Sequence, residues 1–262
     1  MQDDGLGDWR IQAATRLAKD LPAAYPGGPS HKAGTPVHLT TSTRDSKQHS
    51  LSFVTPSAAA LALSIAMKAS VQAKELYGKL KLDDALTPEG KSKLISFGNV
   101  GPLFDYFEYY MIAVTFSFQA LETYCNHVIA NELKGTFNLQ RKDEPKTFTP
   151  IELEREATTE EKLVNVLPSI FGIKSPKGKK VWQNFVKMKK ARNSTIHLKS
   201  KDQYPKQDLA GVIDRDALFY QFLNNDPTDL PKAAVAMIRY FASVKEIPRW
   251  LLDPMEFLGK EK

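Results

Sequence analysis

Arg192, Asn193 and His197 stand close together in a lysine-rich stretch, residues 189–199. A guanidinium can grip a phosphate through two parallel hydrogen bonds, and an imidazole titrates near neutral pH and can move a proton. In a cationic setting this combination suits phosphate chemistry. A second group lies earlier. Glu122 and Asn126 are four residues apart, so they share one face of a helix. Phe118, Leu121, Cys125 and Val128 make an apolar stripe beside them. Cys125 and His127 read as structural residues within this stretch.

The Arg–His spacing alone is weak, because Arg44 and His49 repeat it. The surroundings separate the two pairs. Residues 41–50 have no apolar helical period, whereas Trp182, Phe185, Met188 or Lys189, Arg192 and Ile196 follow one stripe. Val186, Lys190, Asn193 and His197 follow the neighbouring stripe. Arg192 and Asn193 thus lie beside an apolar face as the helix nears its end, and a group on a packed helix is placed more accurately than one on a loop.

Charge points the same way. The chain has 262 residues and a net charge of +6, yet residues 174–206 hold eleven Lys or Arg and one acid. That segment carries +10 and the remainder −4, the pattern of a polyanion-binding segment on an acidic body. The competing explanation is a solvated lysine face. There is no His-Glu-x-x-His or Cys-x-x-Cys pattern, and one cysteine cannot make an internal disulfide, so no metal site and no cofactor are expected. Residues 172–180 imitate a phosphate-binding loop, but one residue too many separates the glycines and no Ser or Thr follows the lysine. The first residues do not read as a signal peptide. The apolar runs at 58–67 and 111–121 are too short to span a bilayer, which takes about 18 or more apolar residues. A cytoplasmic protein without a membrane partner is expected.

The elements that must position these residues read as helices. Residues 8–21 suggest a short helix capped by Asp8, 22–35 a loop, and 36–54 a small β-hairpin. Thr55-Pro56 predicts a helix start running to about Tyr77, and Thr87-Pro88 predicts another, ending near Gly98. Residues 102–133 form one long aromatic-rich helix closed by Gly135, then 136–148 a polar loop. Thr149-Pro150 opens a short helix. Thr158 with Glu161 makes a capping box for the next, which Pro168 ends or kinks. Ser175-Pro176 starts the basic helix to about Lys199. Helices near 214–223 and 231–247 follow. The expectation is an all-α, up-and-down helical bundle over residues 56–262, preceded by an N-terminal extension at 1–55 with a hairpin.

A long helix with an aromatic-rich start and Leu121-Glu122 followed by Asn126, then a late helix bearing Arg192-Asn193 and His197, resembles the HEPN superfamily. These are helical-bundle proteins, many of them ribonucleases of toxin–antitoxin and phage-defence systems. The resemblance covers about residues 102–247. It implies a homodimeric, metal-independent endoribonuclease that cuts RNA through the ribose 2′-hydroxyl, with the motifs of two copies lining one cleft. By this resemblance Arg192 holds the scissile phosphate, His197 acts as general acid or base, and Asn193 orients the motif. Glu122, supported by Asn126, matches an acidic position that pairs with the arginine or positions the histidine. Lys187, Lys189, Lys190 and Lys199 would track the RNA backbone. An antitoxin or other regulatory protein is a further expected partner. In members silenced by a nucleotidyltransferase, a tyrosine stands two residues after the histidine, where this chain has Lys199. The alternative is a non-catalytic module binding a nucleotide, RNA or a protein.

Overall fold

The computed structural model describes residues 5–26, 28–87, 90–141, 144–198, 217–244 and 247–251. They are mostly helical, with small two-stranded antiparallel sheets. The centre is α2 (Val100–Glu132), whose middle turns are buried on nearly every side, with Tyr110, Val114, Phe118, Leu121, Cys125 and Ile129 all in the core. α1 (Ala58–Lys79) lies along it. Ala59, Ala62, Ala66, Ala69 and Ala73 of α1 are buried, and such small side chains let two helix backbones approach closely while Leu63 and Met67 fill the space between. Ser57, not Thr55, caps α1, its hydroxyl accepting from the Ala60 N–H. At the far end of α2, Gly135 takes the left-handed conformation that lets the chain turn away.

After α2 come α3 (Pro150–Glu156), starting at the expected Thr149-Pro150 with a capping box from Thr149 and Glu152, and α4 (Thr159–Glu161), opened by the expected Thr158–Glu161 capping box. A π turn, Lys162–Val166, joins α4 to α5 (Leu167–Phe171). Pro168 therefore does not end the helix. The wider turn just before it shifts the hydrogen-bond ladder, so the missing proline N–H is accommodated, and Gly172 closes the helix with φ of 64°. α6 (Lys180–Ile196) starts later than Ser175-Pro176 suggests, because residues 176–179 form a tight turn first. α7 (Leu218–Asn224) and α8 (Asp229–Ala242) complete the helices. α8 stops short of the expected residue 247, and the start expected for α7 at 214 lies outside the described residues.

Three expectations are overturned. Residues 8–21 are not a helix. Asp8 accepts from the Arg10 backbone and guanidinium instead of capping, which holds its carboxyl down to about 2. β1 (Ala14–Arg16) then pairs with β2 (Pro36–His38). The helix expected from Thr87 to Gly98 is not formed over residues 90–95, where β6 (Gly90–Ile95) pairs with β5 (Leu82–Thr87), and residues 88–89 of that expectation lie outside the described residues. A helix there would need an apolar face to bury, yet Leu94 is exposed, so no packing rewards one. The loop expected at 136–148 contains two strands. β7 (Phe137–Gln140) and β8 (Pro145–Phe148) form a hairpin that buries Leu139 and Phe148. The expected hairpin at 36–54 is present as β3 (Thr40–Arg44) and β4 (Ser50–Val54). The N-terminal residues are fastened to the helices: Trp9 is buried in the core, and Arg249 donates to the carbonyls of Asp8 and Gly7 at 2.9 and 2.6 Å. No helix among the described residues is long and apolar enough to cross a membrane.

Candidate functional site at the end of α6

The sequence of α6 places one face in the core. Phe185 and Met188 are fully buried, and the Phe185 ring stacks on Phe118 of α2 with centroids 6.2 Å apart. Trp182 packs on Phe185 at 5.0 Å. Burying each of these side chains contributes about 1.5–3 kcal/mol, which fixes α6 against α2.

Arg192 follows on the same side one turn later. Its guanidinium carbon lies 5.0 Å from the centre of the Phe118 ring, and Nη1 donates to Asn193 Oδ1 at 3.2 Å. A cation over a ring face gains about 0.5–1 kcal/mol when partly exposed, and the ring limits where the guanidinium can go. Asn193 and His197 are exposed, one turn apart on the outer face. His197 ends the helix, its backbone N–H donating to the Asn193 carbonyl at 3.0 Å. Its ring has no hydrogen-bond partner among the described residues. Arg192 and His197 thus share one helix end, but the first is turned towards α2 and the second towards solvent. Val186, Ile196 and Leu198 around them are 45%, 46% and 51% exposed.

Glu122 and Asn126 do not meet this motif directly. Glu122 stands one turn beyond Phe118 on α2 and accepts from Thr159 Oγ1 at 3.3 Å. No ion pair between Glu122 and Arg192 forms among the described residues. Asn126 Oδ1 accepts from Lys162 Nζ at 2.8 Å, and the same ammonium donates to the Glu154 carbonyl at 2.9 Å. Lys162 is 1% exposed and lies within the π turn. Burial lowers its pKa from the ordinary lysine value, against the raising influence of neighbours that include Cys125 and Glu122. Nothing in the local sequence marks Lys162 as buried. Its position four residues after Thr158, in a capping-box helix that must pack on α2, is the nearest signal.

The four lysines separate. Lys189 forms an ion pair with Glu160 and ties α6 to α4. Lys187 and Lys190 line a cleft on the opposite flank of α6. Lys199 lies outside the described residues. Cys125 is fully buried, and burial pushes its thiol up to about 12. His127 bonds Gln12 and Asn131 at 3.3 and 3.1 Å, away from α6. Among the described residues, no cluster of three or more His, Cys, Asp or Glu is placed to hold a metal ion.

No protein-family model matches the chain, and no curated protein or solved structure is significantly similar to it.

Proposed function

We propose that the protein is a HEPN-type endoribonuclease that cuts RNA without a metal, used as a toxin or defence effector. The observation that carries the proposal is the placement of Arg192, Asn193 and His197 at one exposed helix end, with the guanidinium braced by Phe118 of the long central helix. In this mechanism the ribose 2′-oxygen attacks the adjacent phosphorus and loses its proton to a base. The 5′-oxygen leaves and takes a proton from an acid. Products are a 2′,3′-cyclic phosphate and a 5′-hydroxyl. Arg192 would balance the charge that grows on the phosphate oxygens. One His197 serves one of the two proton transfers. The His197 of a second copy would serve the other, and the exposed Val186, Ile196 and Leu198 beside the motif favour such a homodimer. Glu122 and Asn126 would act by fixing α2 beneath Phe118.

A second proposal, a binding module without cleavage, is favoured by one feature. Arg192 is already engaged by Phe118 and Asn193, on a different side from His197.

The test is incubation of total RNA with purified protein in EDTA, beside His197→Ala and Arg192→Ala variants of equal folded content. Cleavage by the native protein with cyclic phosphate ends is expected, falling about 10²–10⁴-fold in His197→Ala. Equal cleavage by all three proteins would show that the activity lies elsewhere.

A further inference from the structure

Between α6 and α8, closed at one end by α7, lies a cleft of about 740 Å³. That volume falls in the range of small-ligand sites, about 300–1,000 Å³. Its floor is apolar and includes Met188 and Phe222. One wall is a stripe of α6 in which Lys180, Asn184 and Lys187 follow at spacings of four and three, hence on one face. Lys232 of α8 stands on the other wall. Lys180, Lys187 and Lys232 have no ion-pair partner among the described residues, and the Asn184 amide has no hydrogen-bond partner there. Two acids also line the cleft, Asp226, which is held by Lys74 at 2.8 Å and by Thr228, and Asp229 in the first turn of α8, but with Lys190 and Arg239 the cations of the lining outnumber them five to two.

The cleft thus joins an apolar floor, unpaired cations on both walls and one free amide midway between two of them. A purely apolar ligand leaves the amide and the ammonium groups unused. A bare anion leaves the floor unused. A nucleotide uses all three, because it has a flat apolar face, an edge of hydrogen-bonding groups and a phosphate on each side. Lys190 also lines the cleft and precedes His197 by seven residues, two helical turns or about 10 Å along the same stripe.

We infer that this cleft seats one unpaired nucleotide of single-stranded RNA, with its base on the apolar floor against Asn184 and its flanking phosphates on Lys180, Lys187 and Lys232. The inference rests on the ribonuclease proposal for the polymer's role as substrate, but binding can be measured without cleavage.

The experiment uses the full chain carrying His197→Ala and a short fluorescently labelled single-stranded RNA, compared with an abasic ribose-phosphate strand of equal length and charge. Fluorescence anisotropy reads the affinity. The abasic strand is expected to bind about five- to a hundredfold more weakly, as when one base loses its stacking surface. Asn184→Leu is expected to weaken binding of the normal strand about five- to tenfold, the worth of about one hydrogen bond, with the salt dependence unchanged. Lys187→Ala and Lys232→Ala are each expected to lower the slope of log affinity against log salt by about 0.7. Circular dichroism checks that each variant is folded. Equal binding of the two strands means that the surface reads charge alone and overturns the inference. So does undetectable binding, or binding unchanged by all three substitutions. Failure of the ribonuclease proposal shows differently: base-dependent binding persists while the native protein leaves RNA intact in EDTA.

Discussion

Replacing Lys162 by methionine is expected to destabilise the protein by about 2–4 kcal/mol at pH 7. The lysine is 1% exposed, and its ammonium gives one hydrogen bond to Asn126 Oδ1 and one to the Glu154 carbonyl. Glu154 lies in the last turn of α3, where carbonyls lack a helical donor, so the ammonium also caps that helix and meets its negative end. Methionine fills much of the same volume and removes a buried charge, a relief of up to several kcal/mol. Against this, two charge-assisted bonds are lost at about 1.5–3 kcal/mol each, and two acceptors are left without a donor. The two lost bonds outweigh this relief, which the raising influence of Glu122, Glu154 and Glu161 already reduces. For a chain of this size the midpoint of thermal unfolding should fall by about 4–16 °C. The pH dependence gives an independent sign. Burial lowers the folded pKa of Lys162, whereas the unfolded chain holds its proton up to about 10.4. Between those two values the unfolded state binds more protons, so this residue's contribution to stability rises with pH. The variant lacks that rise, and the native protein's advantage must grow from its folded pKa towards about pH 10.4. Thermal and urea unfolding followed by far-UV circular dichroism, from pH 7 to 10.5, measures both quantities. A variant as stable as the native protein at pH 7, or a difference that stays flat with pH, would refute the reasoning.

Other outcomes follow from single contacts. Phe118→Leu removes the ring beneath Arg192 and should slow RNA cleavage about two- to fivefold at equal folded fraction, the worth of an exposed cation–π contact; initial rates on a labelled RNA check this, and an unchanged rate means that the ring does not place the guanidinium. Thr158→Ala removes the capping hydroxyl that accepts from the Glu161 N–H at 3.1 Å and should cost about 1 kcal/mol in urea unfolding. Glu161→Gln tests the same box by pH. Burial raises the Glu161 pKa, but the Thr158 N–H and Arg141 outweigh it and the net shift is downward. Its stabilisation is therefore complete above the ordinary glutamate range and is lost as pH falls through the lowered folded value, so the difference between the native protein and Glu161→Gln should vanish in acid. Cys125, fully buried with its thiol pushed up to about 12, should react with a chromogenic disulfide much more slowly in the folded protein than in denaturant. Comparable rates would place that sulfur at the surface.

Much of the helical frame was legible because its signals are local. The Thr149-Pro150 helix start, the Thr158–Glu161 capping box, the aromatic stripe of α2 and the amphipathic stripe of α6 each act within a few residues, and the structure has each where the pattern puts it. The hairpin at 137–148 was also written in the chain. Phe137 and Leu139 alternate with Asn138 and Gln140, and Phe148 pairs opposite Phe137, but the polar residues between the strands obscured the period of two. The β5–β6 pairing was hidden because Thr87-Pro88-Glu89 matches a helix start in type and spacing. Residue type and spacing by themselves determined that Arg192, Asn193 and His197 gather at one helix end, since a helix fixes neighbours three to five apart. Only the tertiary structure decided which of them meets α2, that Lys189 answers Glu160 while Lys187 faces a cleft, and that Lys162 is drawn into the interior. Those outcomes depend on helices far apart in the chain, whose packing sets the side and burial of each charge, and no local pattern encodes that.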